Sequence, residues 1–215
     1  MNSKTVFNVM DSDDADTETY ILLLLSDSNL PTGSFVASAG LESYLKHGFP
    51  ASPISSAAQN TIEFIRDSLA SYARSALPFV SDAHRAVRQL ASDEKAIEPD
   101  TEKLKNVINI LVQLDDLYQA MTLNHVSRRA STAQGAALLA LYSKGFSRPA
   151  SVSAFSTTRS PHDEEQMAKL VDEFKLKIRR EETPGHLSIC WGILTAALGL
   201  RLGALFSFAS LQFSS

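Results

Sequence analysis

Five histidines, a single cysteine and the adjacent aspartates Asp115 and Asp116 are the residues of this chain whose types invite a search for chemistry. The histidines, His47, His84, His125, His162 and His186, lie far apart. No two stand at the four-residue step that puts a pair of imidazoles on one helix face. Neither H-x-x-x-H nor C-x-x-C occurs, so no zinc-type ligand set is written here. Neighbouring positions on a helix point about 100° apart, so Asp115 and Asp116 do not share a site as an acid–base dyad would. Cys190 sits between Ile189 and Trp191, the setting of a buried, inert thiol. No Walker-type phosphate loop is present. His84 reads as a helix-surface residue and His125 as solvated or capping. His186, opening an apolar run directly after Pro184-Gly185, closes a helix terminus at least as readily as it contacts a metal transiently. The chain therefore reads as a non-enzyme.

Composition narrows the classes further. At 215 residues the chain can bury one substantial core. A formal charge of −4 and a pI near 5.7 offer no domain-scale basic field for nucleic-acid phosphates. The basic pairs Arg128-Arg129 and Arg179-Arg180 read as solvated helix faces. One cysteine makes no internal disulfide, which fits a reducing compartment. Residues 1–18 carry Asp11, Asp13, Asp14, Asp16 and Glu18 without a basic flank or apolar core. They read as a disordered acidic leader, leaving residues 19–215 as one domain.

The elements that must position these groups are helical throughout. An apolar run, Ile21 to Leu25, breaks into a polar corner, Ser26-Asp27-Ser28-Asn29-Leu30-Pro31-Thr32-Gly33-Ser34, and periodicity resumes through Ala37, Gly40, Leu41, Tyr44 and Leu45. Asp27 and Asn29 form turns, Pro31 disfavours helix at Leu30, and Ser34 can cap the next helix. Ser52-Pro53 predicts a helix start, with Ile54, Ala58, Ile62, Ile65, Leu69 and Ala73 on one face. Pro78 interrupts it, and Ala83, Ala86, Val87 and Leu90 mark a further helix. Asp100 caps a long helix through Met121, and another runs from Asn124 to a stop at Gly145. Residues 147–160 form a Ser/Thr/Pro-bearing loop. Ser160-Pro161 followed by acidic residues opens a helix that ends before Thr183-Pro184-Gly185. Ile189 to Phe213 is a final apolar run containing Gly199-x-x-x-Gly203, a spacing that lets membrane helices approach closely. Arg201 near its middle would cost roughly 2.5–3.5 kcal/mol on insertion, so a buried core helix is the preferred reading and a membrane anchor the alternative. The expected fold is all-α, a single-domain bundle of roughly seven to nine helices.

Three segments carry a resemblance. LLLSDSNLPTGSFVASAGLE resembles the N-terminal signature of the UreF family of urease accessory proteins, approximately L-x-x-S-D-S-x-L-P-x-G-x-F-x-x-S-x-G-L-E. The match rests on Leu23, Ser26, Asp27, Ser28, Leu30, Pro31, Gly33, Phe35, Ser38, Gly40, Leu41 and Glu42. Asp115 through Asn124, then Arg128, Arg129, Ala130, Ser131, Gln134 and Gly135, is similar to the family's central D…N…R-x-A-S-x-x-Q-G region. Gly185-His186 through Gly192 resembles its G-H-x-P-x-x-x-G block, with Ser188 where proline is usual. Beyond it, Leu205 to Ser215 departs from the family, whose members continue with further helical sequence and a segment that engages a partner.

The resemblance implies a non-catalytic, cytoplasmic chaperone without a cofactor of its own. Such a protein joins the urease maturation GTPase and a UreD/UreH-type accessory protein on apo-urease to support nickel insertion, and it homodimerises. It makes Ser26, Asp27, Ser28, Leu30, Pro31, Gly33, Phe35, Ser38, Gly40, Glu42, Arg128, Ser131, Gln134, Gly185 and His186 candidates for docking or for core networks. Whether nickel touches this subunit stays open. So does a helical interaction scaffold that lacks urease duty.

Overall fold

Apolar residues at three- and four-residue steps predict helices along nearly the whole chain. Every regular element among the described residues of the computed structural model is helical. The structure describes residues 16, 18–25, 40–47, 56–92, 100–146 and 161–203. They fall into two compact units, Met1–Leu30 with Gly199–Ser215, and Pro31–Leu198. In the first, helix α1 spans 18–25. The Glu18 carboxylate accepts from the Arg201 backbone N–H and, at 2.9 Å, from Arg201 Nε; it also pairs with an Nη of the same guanidinium at 2.8 Å.

The second unit holds α2 (Leu41–His47), α3 (Ala57–Ser92), α4 (Asp100–Met121), α5 (His125–Leu141), a π-helical turn (Tyr142–Phe146), α6 (Pro161–Arg179) and α7 (Leu187–Ala197). At 36 residues, α3 is about 54 Å long. One face of it runs Ile62, Ile65, Leu69, Tyr72, Ala76, Phe79, Val80, Ala83, Val87 and Leu90. From Ala76 onward that face is buried; from Ile62 to Tyr72 it is half-exposed. The α2 helix rests against the earlier half through Tyr44 and Phe64, whose ring centroids lie 5.0 Å apart.

Pro78 does not divide α3 into two helices as expected. Its ring lies on an exposed side, and the missing N–H removes only one ladder bond. Serines beside it bond carbonyls of the same stretch. Ser75 Oγ donates to Ser71 O and Tyr72 O at 3.1 and 3.0 Å, and Ser81 Oγ donates to Leu77 O at 2.9 Å. Burial of the C-terminal half then outweighs the propensity cost. At the N-terminal end Ser56 caps the helix, its Oγ accepting from Gln59 N at 3.2 Å; the expected start at Ser52-Pro53 lies outside the described residues.

Helix α7 is the centre of this unit, with Ser188, Ile189, Cys190 and every residue from Gly192 to Ala197 buried. It packs most extensively on α3, then on α5. Gly192 makes the α3 contact possible, because a Cβ there would stand 2.6 Å from Val80 O and 2.7 Å from Ala83 Cβ. The predicted apolar helix is shorter than its sequence run. It stops at Ala197, and Gly199, at φ 81°, leaves the right-handed helical region, so Gly199 and Gly203 do not share one helix face. No helix of the described residues is long and apolar enough to cross a membrane. Gly145 likewise does not stop α5 through a left-handed turn. It lies inside the π-helical turn, where Lys175 Nζ donates to Ser143 Oγ at 2.7 Å.

Candidate functional site

Positions 115, 118 and 119 share one face of α4, and positions 131 and 135 share one face of α5. Between these faces the α6–α7 connection delivers Thr183, Gly185 and His186. The connection begins in a turn that reverses the chain after α6. Glu181 N donates to Ile178 O and Glu182 N to Lys177 O, both at 3.0 Å, the paired bonds of a Schellman motif with Glu181 left-handed at φ 59°.

Asp115 organises the rest of the connection. Its fully buried carboxylate accepts the Thr183 hydroxyl at 2.6 Å and the Gly185 N–H at 2.5 Å on Oδ2, and the His186 N–H at 2.9 Å on Oδ1. A carboxylate that receives three donors in a dry interior offsets much of its desolvation cost. The His186 ring, also fully buried, is fixed from both sides. Nε2 lies 2.6 Å from Gln119 Oε1 on α4, and Nδ1 lies 3.1 Å from Ser131 Oγ on α5. Gln119 Oε1 can only accept, so Nε2 carries the proton and Nδ1 accepts the Ser131 hydroxyl. Ser131 Oγ accepts in turn from the Leu187 N–H at 3.1 Å, which satisfies a donor of α7's first turn. The Tyr118 ring meets the imidazole edge-on at 5.0 Å and Phe79 of α3 in the same manner.

Two glycines let the backbones close on this cluster. A Cβ on Gly135 would lie 2.2 Å from Gly185 O. One on Gly185, at φ 76°, would lie 2.5 Å from Ile178 Cδ1. Burial lowers the His186 pKa; Asp115 opposes that shift and Arg128 reinforces it. Burial pushes the Cys190 thiol well up, with Asp115 adding to it. The phenols of Tyr72 and Tyr118 are raised for the same first reason. Although the Tyr72 residue is half-exposed, its hydroxyl is tucked against Tyr118.

Among the described residues Ser188 Oγ is buried without a hydrogen-bond partner; the other polar groups named here pair across the junction and hold α4, α5 and α7 in register. Elsewhere a small cavity of about 100 Å³ is lined by Leu90, Thr101, Leu104, His162, Glu165, Gln166 and Lys169. Among the described residues no group of three or more His, Cys, Asp or Glu side chains converges to hold a metal ion.

Of the residues singled out in the sequence, Ser131, Gly185 and His186 come together here. Arg128 is half-buried and donates from Nε to Thr122 O, bracing the α4–α5 corner that Asn124 caps through Val126 N at 2.9 Å and Ser127 N at 3.3 Å. Gln134 is half-buried on α5, Glu42 is exposed on α2, and Gly40, at φ 96°, precedes α2. Ser26, Asp27, Ser28, Leu30, Pro31, Gly33, Phe35 and Ser38 lie outside the described residues.

His84 is not a surface residue. It is buried, with Nδ1 3.1 Å from Thr195 Oγ1, whose hydroxyl donates to Trp191 O at 2.9 Å. Sequence reasoning did not single out Gln119, took Thr183 only as the end of a helix, and placed Asp115 beside Asp116 and at the head of the central family block without a role at this junction. The signal available was spacing: Asp115, Tyr118 and Gln119 stand at i, i+3 and i+4.

A family model, UreF, matches residues 55–214. It takes in the central and G-H blocks and begins after the N-terminal signature, Leu23 to Glu42. The chain is 36% identical over 201 residues to Urease accessory protein 6 of Cryptococcus neoformans var. grubii, covering 85% of this chain and 63% of that protein. It is 28% identical over 189 residues to the Uncharacterized urease accessory protein UreF-like of Schizosaccharomyces pombe, covering 88% of this chain and 64% of that protein. The chain thus spans less than two thirds of the length of these relatives. No solved structure matches it.

Proposed function

Because the chain belongs to the UreF family of urease accessory proteins, we propose that it is a non-catalytic maturation scaffold for urease. In this reading it joins the maturation GTPase and a UreD/UreH-type accessory protein on apo-urease, in the cytoplasm and as a homodimer, and nickel is the cargo of the assembly. Its effect on the GTPase comes from binding one nucleotide or metal state more tightly than another, since a partner shifts an equilibrium only by its differential affinity.

One observation carries the reading. The motif residues Asp115, Ser131, Gly135, Gly185 and His186 fall inside the matched region 55–214, and they are the residues that lock α4, α5 and α7 together. A scaffold needs that rigidity, because a surface ordered beforehand loses less entropy when it docks.

The test is co-expression with the cognate maturation GTPase and the second accessory protein, followed by tagged pull-down and size exclusion. Co-elution with both partners is the expected result. A folded chain that retains neither, alone or together, overturns the reading and leaves a helical interaction protein without urease duty.

A further inference from the structure

Leu123, at 85% exposure, is the most exposed large hydrophobic side chain among the described residues, and it stands at the tip of the α4–α5 corner. Met121, the last residue of α4, and Val126, on the first turn of α5, flank it and are exposed as well. The corner itself is tied down. Thr122 donates from N and from Oγ1 to Tyr118 O at 3.0 and 2.9 Å, Asn124 Oδ1 accepts the Val126 and Ser127 N–H groups, and Arg128 donates from Nε to Thr122 O. A single exposed leucine needs no explanation. Three apolar side chains grouped on a fixed corner form an anchor that loses little entropy on docking. The charge around them is one-sided. Residues 117–162 hold no aspartate or glutamate but five lysines and arginines, in a chain of formal charge −4. Val126 and Arg129 stand at i and i+3 on α5, so an exposed cation lies beside the apolar group. Among the described residues Arg128, Arg129 and Lys144 make no ion pair, whereas Lys105, Lys169 and Lys177 each meet a carboxylate at 2.8 Å.

We propose that this corner is a docking knob: Leu123, flanked by Met121 and Val126, seats in an apolar pocket of an acidic protein partner, and carboxylates on the rim of that pocket meet Arg129. The acidic rim supplies the counter-charge that the chain itself does not place at the corner. A lipid surface would ask for a long apolar helix face with several cations along it, and here three side chains share one tight turn. The identity of the partner rests on the urease reading: it is a subunit of the maturation assembly.

Leu123→Asp and Arg129→Glu alter exposed positions, so the fold should persist, as far-UV circular dichroism and Tm would verify. Each variant of the full chain is co-expressed with the tagged maturation GTPase, the UreD/UreH-type protein and apo-urease, and the Kd of each purified pair is measured. Leu123→Asp should raise the Kd for one of these partners at least about tenfold and leave the others as in wild type. Arg129→Glu should weaken the same pair. Wild-type affinity for that partner should fall as NaCl rises from about 0.1 to about 0.5 M. The fall should be shallower in Arg129→Gln, which a purely structural role for Arg129 would not produce. Wild type that retains none of the three overturns the urease reading and, with it, the occupant named for the knob. Wild type that retains its partners while Leu123→Asp and Arg129→Glu bind equally well overturns the knob and leaves that reading in place. Flotation with phosphatidylserine vesicles that is lost in Leu123→Asp, with partner binding unchanged, overturns it in favour of a lipid surface.

Discussion

Replacing Asp115 by asparagine keeps the size of the side chain but turns one of its two acceptor oxygens into a donor. That group would face the Thr183 hydroxyl and Gly185 N–H, or else the His186 N–H, and at least one donor would be left buried without an acceptor. Asp115→Asn should therefore lower unfolding free energy by about 2–4 kcal/mol in urea titration. A change under about 0.5 kcal/mol would mean that the turn does not depend on the carboxylate. Glu181 invites the opposite experiment. It holds a left-handed conformation that costs a non-glycine residue about 1–2 kcal/mol, tolerated because the Schellman bonds and Asp115 determine the turn on both sides. After the extra unfolded-state entropy of glycine is subtracted, Glu181→Gly should stabilise the chain by about 0.5–1 kcal/mol, visible as a higher Tm. Neither role could be read from local sequence. Asp115 was visible beside Asp116 and at the head of a motif block, whereas its partners lie 68 to 71 positions away. A glutamate where a helix C-cap prefers glycine gives no signal until its backbone angle is known.

Helix existence was legible because apolar spacing survives any packing arrangement, and so were ends marked by caps: α4 runs Asp100–Met121, Asn124 caps α5 and α6 opens at Pro161, whereas stop signals inside apolar runs misled. Pro78 carries the strongest local stop signal in the middle of the chain, yet α3 continues through it, because the half from Ala76 to Leu90 is buried against other helices. Tertiary burial outweighs a local propensity there. Gly145 and Gly199 show the reverse uncertainty: both are permissive residues, and only the second takes a positive φ. The close approach of α3 and α7 was equally hidden, since nothing in the sequence sets Gly192 apart from Gly199 and Gly203 in the same apolar stretch. Gly192 meets a helix backbone, with Val80 O and His84 N within 3.0 Å of the position a Cβ would take, whereas Gly203 has nothing within 4 Å. Backbone atoms cannot turn aside as a side chain does. Gly192→Ala should thus destabilise by about 3 kcal/mol, whereas Gly203→Ala, with nothing within 4 Å, should change stability by less than about 0.5 kcal/mol. Equal effects in thermal unfolding would refute the assigned α3–α7 contact.

The all-α class followed directly from the sequence, and two of the three motif blocks, the central one and the G-H one, contain Asp115, Ser131, Gly135, Gly185 and His186 of the junction. The division into two compact units and the half-exposed N-terminal face of α3 were not foreseeable, because periodicity shows which face is apolar and not what covers it. Stability against pH integrates the buried groups of the whole molecule, and their shifts give each limb its sign. The His186 pKa is lowered in the folded chain from an ordinary 6.5, so the unfolded state binds more protons just below that value. Its contribution is complete above about 6.5 and is lost as pH falls through the folded value. The Cys190 thiol and the Tyr72 and Tyr118 phenols are raised, from 9.0 and 10.0, so the unfolded state loses protons first on the alkaline side. Their contributions are complete below the unfolded values and are lost as pH rises through the folded ones. Urea unfolding should therefore give a stability plateau between about pH 6.5 and about pH 9, with a fall on either side. His186→Gln should flatten the acid limb and leave the alkaline limb in place; Tyr72→Phe should do the reverse in part. Were the acid limb to persist unchanged in His186→Gln, burial of the His186 ring would not be what erodes the fold on the acid side, and the sign worked out for this group would have to be abandoned.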